Sequence, residues 1–346
     1  MKTIKTIKNF LLIIVVLTIV SCGKDNDVPI KEKFDDGLFV SCEGNFMSAN
    51  GSLSFISKDG SIENGIFESV NSFPLGDVVQ SINIIDTLAY IVVNNSGKVV
   101  VADAGTMEFV ADIEGVGQPR YIAKAGDEQA YITDQNGKVH VLDLNSNQVT
   151  ASISVGFAPQ QLKVIDNYAY VANSGWGSGN SVSVIDISTN QLVETITVAD
   201  NPTNLVSDGN YLWVLSGGNT IWNSDYTEIV GHTPGALTAI NTTSQTIEKT
   251  IVFPEGQHPS GLDFYWDKLY FKNGGSIFSQ SINSSQLDSN VIASGSYYGQ
   301  ISIYDGHLYA ADALDYSQNG LVYEYSLSGE LENTYNVGII PSNFGY

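Results

Sequence analysis

A strand core built around one aromatic residue recurs along this chain, and that recurrence limits what the chain can fold into more than any other feature. The markers are Phe39, Tyr90, Tyr131, Tyr170, Trp213, Tyr270 and Tyr309, at intervals of 51, 41, 39, 43, 57 and 39 residues. The clearest unit is Gly156–Pro202. Its four apolar runs, Gln161–Ile165, Tyr168–Ala172, Ser181–Ile187 and Leu192–Val198, are separated by turn-forming residues such as Asp166-Asn167 and Thr189-Asn190. Each run is short, rich in β-branched and aromatic residues and apolar at alternate positions, which is strand chemistry. A third run recurs as well, at Lys98–Ala102, Lys138–Leu144, Ser181–Ile187, Leu237–Asn241 and Leu321–Leu327. Pro119, Pro159, Pro202 and Pro259 open units eleven or twelve residues ahead of the marker.

A period of roughly 40–45 residues with four strands per unit specifies a β-propeller blade. One blade cannot cover both of its faces, so blades must stack around an axis. Seven markers predict an all-β, seven-bladed β-propeller of four-stranded antiparallel blades over residues 37–346. The repeat region opens on Leu38-Phe39-Val40, a second strand with no first, and closes on Pro341–Tyr346, a first strand with nothing after it. The C-terminal strand is therefore expected to join the first blade and close the ring, which removes an exposed sheet edge. Tyr170-Val171-Ala172-Asn173 resembles the YVTN motif of the YVTN/YncE-like seven-bladed propellers. The resemblance spans all seven units and implies the fold, not a role.

The chain begins differently. Lys2, Lys5 and Lys8 precede an apolar run, Phe10–Val20, too short to span a bilayer comfortably. Ile19-Val20-Ser21-Cys22 resembles a lipobox. Residues 1–21 are thus read as a lipoprotein signal peptide, and Cys22 as the lipidated N-terminus of an anchor in the outer membrane. Residues 22–36, polar and charged, read as a tether. The acidic Asp25-Asn26-Asp27 resembles the surface-export signals of gut Gram-negative lipoproteins, which implies cell-surface exposure. Cys42, the second of two cysteines, is left without a partner and is expected to be a buried small apolar residue.

The formal charge is −22, and without residues 1–21, which hold three lysines and no acid, it is −25. Such a surface repels nucleic acid and disfavours strongly anionic ligands. Arg120 is the sole arginine.

By analogy with other propellers, ligands bind on the face that carries the second-to-third strand loops and the blade-to-blade loops. In the repeat register the blade-to-blade loops hold Arg120, Phe157, His258, Tyr297 and Tyr298. The strand loops hold Phe46, Trp176 and Tyr316. The 57-residue interval places extra length at Ser216–Pro234, with Trp222, Tyr226 and His232. Aromatics and amides on one concave face point to binding of a flat ligand with a polar rim. Trp213 and Trp266 are assigned to strand cores or their vicinity. Asp103, Asp143 and Asp186 recur at one repeat position, so they are expected to cap turns. The four histidines show no metal-ligand spacing, and no nucleophile elbow is present. No catalytic residues, no resident metal and no required cofactor are therefore expected.

The lipoprotein features, with Glu43-Gly44-Asn45-Phe46 and Asn50-Gly51-Ser52-Leu53-Ser54, resemble the surface cobalamin-binding propellers (BtuG-like) of gut Gram-negative bacteria. That resemblance implies a corrinoid (cobalamin) as bound cargo and a TonB-dependent outer-membrane transporter as partner. A siderophore or haem is the alternative cargo, with His232 or His258 as iron ligand for haem. An adhesive surface propeller that binds protein or glycan is the alternative class.

Overall fold

The computed structural model describes residues 33–346. The readings for residues 1–21, for Cys22 and for most of the 22–36 tether lie outside the described residues. Among the described residues, no helix is long and apolar enough to cross a membrane.

The protein is an all-β, seven-bladed propeller of four-stranded antiparallel blades. Seven inner strands, Val79–Ile85, Pro119–Lys124, Pro159–Ile165, Pro202–Ser207, Ser260–Tyr265, Tyr298–Tyr304 and Pro341–Gly345, neighbour one another in a closed ring. Blade 1 is built from both ends of the repeat region. Gly37–Cys42 pairs with Ser52–Ser57 on one side and with Pro341–Gly345 on the other, Val40 opposite Phe344. The expected closure by the C-terminal strand is what the register shows.

Each marker residue sits on a second strand, and its burial explains the recurrence. Tyr90, Tyr131, Tyr170, Trp213 and Tyr270 fill the wedges between blades. Their polar tips find partners, as a buried Tyr or Trp requires. The Tyr131 hydroxyl meets Asn190 of the next blade, the Tyr170 hydroxyl donates to the Thr242 carbonyl of the next blade at 3.2 Å, and Trp213 Nε1 donates to Asp208 at 2.8 Å. The hydrophobic core is divided accordingly into seven clusters, one in each blade-to-blade interface.

The turn aspartates behave as expected. Asp103, Asp143 and Asp186 each accept N–H bonds from residues two or three ahead. Cys42 is fully buried at a strand end, and burial pushes its thiol up to about 12. Trp266 is a correction. It is 81% exposed at φ 59° in the turn between Ser260–Tyr265 and Lys268–Asn273, so it belongs to no core. A second addition is a short helix, Ile66–Asn71, which seats Ile66 and Phe67 in the interface between blades 1 and 2. It accounts for the long 51-residue interval.

Candidate functional site

The extra length of blade 5 folds as a two-stranded hairpin, Thr220–Trp222 against Ile229–His232, standing on the loop face. Its tip is ordered by Asn223, whose Oδ1 accepts the N–H groups of Thr227 and Glu228. Its base is tied by reciprocal bonds between Asn219 and Thr233. The loop of blade 4 meets it across a groove. There Gly177 lies at φ 109°, and a Cβ on it would sit 3.0 Å from Asn219 Oδ1, so glycine permits the close approach.

The groove measures about 640 Å³ and is lined by Trp176, Asn201, Asn219, Trp222, Asn223, Tyr226 and His258, among others. Trp176 and Tyr226 are held at φ 54° and φ 56°, a left-handed conformation that costs a non-glycine residue about 1–2 kcal/mol. Trp176 is nonetheless 67% exposed, so little burial offsets that cost. Phe157 packs edge-on against Trp176, ring centroids 5.0 Å apart. Five of the sequence-derived candidates, Phe157, Trp176, Trp222, Tyr226 and His258, thus gather in or beside one concavity.

His258 and His232 form the groove's polar corner. His258 Nδ1 lies 2.8 Å from the Gly217 carbonyl, which can only accept, so this nitrogen carries the proton. His258 Nε2 lies 3.0 Å from His232 Nδ1 and 3.2 Å from Thr220 Oγ1.

The remaining candidates lie elsewhere. Arg120 is not on a blade-to-blade loop. It is the second residue of Pro119–Lys124 and points into the mouth of the central channel, a cavity of about 370 Å³. Its Nε donates to Gln160 at 3.1 Å and an NH group donates to Gln80, each on a neighbouring inner strand. Tyr298 opens an inner strand and donates from its hydroxyl to Glu43 at 3.3 Å in the same mouth. Burial lifts the Glu43 carboxyl above its usual range. Tyr297 borders the mouth, but its ring is wedged edge-on against Tyr323 and Tyr325, with the two hydroxyls of Tyr297 and Tyr325 3.0 Å apart. Tyr316 packs edge-on against Tyr298, centroids 5.4 Å apart. Phe46, 67% exposed, follows Asn45, which donates to the Tyr316 carbonyl. The single concave surface expected from the sequence is therefore two: an aromatic groove over blades 4 to 6 and a polar channel mouth on the axis.

Two polar assemblies escape sequence reasoning because their members are distant along the chain. His307, Glu324 and Glu332 bring ligand atoms within 4.8 Å of one another on the opposite face. Glu324 there already accepts from Tyr309, Tyr335 and Asn333, which makes the group a satisfied hydrogen-bond network. Ser152, His140 and Asp134 form a row along blade 3, with His140 Nδ1 2.8 Å from Ser152 Oγ and Nε2 2.9 Å from Asp134. The nitrogens are used the opposite way round from a hydrolytic triad, where the nucleophile contacts Nε2. Asp134 also accepts N–H bonds from Gln118 and Asn136, so it pins the linker between blades 2 and 3. Burial opposes its ionisation, but those donors and His140 hold its carboxyl below the usual range.

Residues 36–256 match the domain of unknown function DUF5074. The chain belongs to that family. A search of curated proteins by sequence finds no match. Among solved structures, this DUF5074 propeller is similar to Kuenenia stuttgartiensis hydrazine synthase (17% identity, TM-score 0.56, covering 76% of this chain and 88% of that one). It is also similar to apo AztD from Citrobacter koseri (12% identity, TM-score 0.54, 89% and 96%). A third likeness is to the computationally designed Ika8 protein (12% identity, TM-score 0.53, 76% and 89%). At these identities the likeness is one of fold.

Proposed function

We propose that this DUF5074 chain is a lipid-anchored, surface-exposed binding protein that captures a planar, amide-rimmed cofactor, a corrinoid such as cobalamin, in the aromatic groove. It would pass this cargo to a TonB-dependent outer-membrane transporter and catalyse no reaction itself. The observation that carries the reading is the groove's composition. Exposed Trp176, Trp222 and Tyr226 offer ring faces for stacking, while Asn201, Asn219 and Asn223 offer amides to a polar rim. Exposed aromatics held at unfavourable φ cost stability, and ligand contact is what repays them. The lipobox at Ser21-Cys22 and the likeness to YVTN/YncE-like and BtuG-like propellers support the anchor and the cargo.

Haem is the second reading, favoured by one observation: the imidazoles of His258 and His232 stand together at the groove's corner, with the His258 ring oriented by the Gly217 carbonyl. The visible spectrum of the purified protein, mixed with cobalamin or haem and then gel-filtered, separates the two. Retained corrinoid colour supports the first reading. A retained haem band that His258→Ala removes supports the second. Protein that emerges colourless from both contradicts both and leaves the siderophore and adhesive readings.

A further inference from the structure

Lys272 is the penultimate residue of a second strand, Lys268–Asn273, yet it is buried to 7% exposure. Its ammonium donates to the Gly299 carbonyl and has no carboxylate at ion-pair distance among the described residues. A buried charge without a counter-charge is costly, and proteins almost always pair it. The one acid that lines the channel mouth with it, Glu43, makes no ion pair with this lysine, and burial holds its carboxyl above the usual range, toward the neutral acid.

The backbone is shaped to admit this lysine. Opposite it, Gly261 lies at φ 61°, and a Cβ there would sit 2.9 Å from the Lys272 side chain. The preceding inner strands carry Ser81, Tyr121, Gln161 and Asn204 at the equivalent register. The glycine clears the way for the lysine to reach the channel mouth, where Arg120 also points. Arg120 likewise has no carboxylate at ion-pair distance among the described residues. Two of its five N–H groups go to Gln80 and Gln160. On the same wall Ser342 is 3% exposed. Its hydroxyl stands close enough to Glu43 to favour that carboxylate but makes no hydrogen bond of ordinary geometry.

We infer that the mouth of the central channel is a binding site for a small oxyanion, a carboxylate or a phosphate, held between Lys272 and Arg120 with a bond from Ser342. The site is distinct from the aromatic groove, and its 370 Å³ suits a molecule of a few heavy atoms up to a small di- or tricarboxylate. The lysine and arginine would give the ligand charge-assisted bonds, the strong kind in a site shielded from water.

The test is the melting temperature of the full protein titrated with sodium succinate, citrate and phosphate, at ionic strength fixed with sodium chloride. At least one of the three anions should raise it progressively above the chloride control, and which one does so separates carboxylate from phosphate. Lys272→Gln should weaken that anion's affinity at least tenfold by calorimetry, while the Trp176→Ala, Trp222→Ala double variant should keep it. If Lys272→Gln does not fold, Arg120→Gln carries the same expectation. No rise with any of the three, or a rise that persists in both channel variants, overturns the assignment.

Discussion

Replacing Trp213 by alanine empties a site that is 1% exposed between blades 5 and 6 and orphans its bond to Asp208. A loss of about 3–5 kcal/mol in unfolding free energy is expected, read by denaturant titration. Trp266→Ala, on an exposed turn, should change stability by less than about 0.5 kcal/mol. Local sequence does not separate these two residues, since Tyr211-Leu212-Trp213 and Phe264-Tyr265-Trp266 are both apolar runs. What separates them is place: Trp213 is the third residue of the strand Tyr211–Ser216, whereas Trp266 lies just past the end of Ser260–Tyr265, in the turn. Arg120 misleads in a related way. Next to Pro119 it reads as a loop residue, whereas the proline opens an inner strand and turns the arginine toward the axis. Lys272 could not be read as a site residue at all, because its neighbours Arg120 and Ser342 come from other blades. Its burial has a consequence for pH. Burial lowers its ammonium from 10.5 to about 8, so between those values the unfolded chain binds the more protons and stability rises with pH. The full rise from this group is on the order of 3 kcal/mol. Chemical denaturation of the wild type and of Lys272→Met, from pH 7 to 9.5, should show a stability increase in the wild type that the variant lacks. Parallel curves would contradict the burial of a charged lysine.

The hairpin of blade 5 is the element that turns a scaffold into a candidate receptor. Its length was visible in the 57-residue interval, and its aromatics in the composition of that stretch. Its pairing could not be inferred, because Thr220–Trp222 and Ile229–His232 are too short to show an alternating pattern. The helix Ile66–Asn71 was hidden for the same reason, since six residues make fewer than two turns and show no period. Ile221, Trp222, Tyr226, Ile229 and Val230 of the hairpin are all exposed, so it adds little to the blade cores. Replacing residues 219–233 by Asn-Gly should therefore move the melting temperature by only a few degrees, about 1–2 kcal/mol, followed by circular dichroism. Corrinoid binding should be lost altogether. A collapse of the fold would show instead that the hairpin is structural.

At the scale of the whole molecule, the blade count and the ring closure were legible because a repeat is a global pattern: each aromatic marker fills the same wedge between blades. Closure concentrates stability in few residues. Deleting residues 339–346 removes Phe344 and Ile340 and exposes the interface of blades 1 and 7. At about 1.5–3 kcal/mol for each buried side chain these two account for about 3–6 kcal/mol, and with Leu38 and Val40 uncovered beside them the loss should exceed 5 kcal/mol. That corresponds to a fall of ~10 °C or more by calorimetry, and a truncated protein that melts with the parent would exclude closure by this strand. The division of the loop face into groove and channel was not legible, because it depends on which residues of neighbouring blades face one another. Stacking of a flat, amide-rimmed ligand in the groove is measured by calorimetric titration with cyanocobalamin, alongside dicyanocobinamide, of the wild type and the Trp176→Ala, Trp222→Ala double variant. One site per chain is expected in the wild type, with an affinity loss of roughly 1–4 kcal/mol for each tryptophan removed. Absence of heat with either corrinoid at tens of micromolar, or equal affinity in the double variant, would contradict this reading.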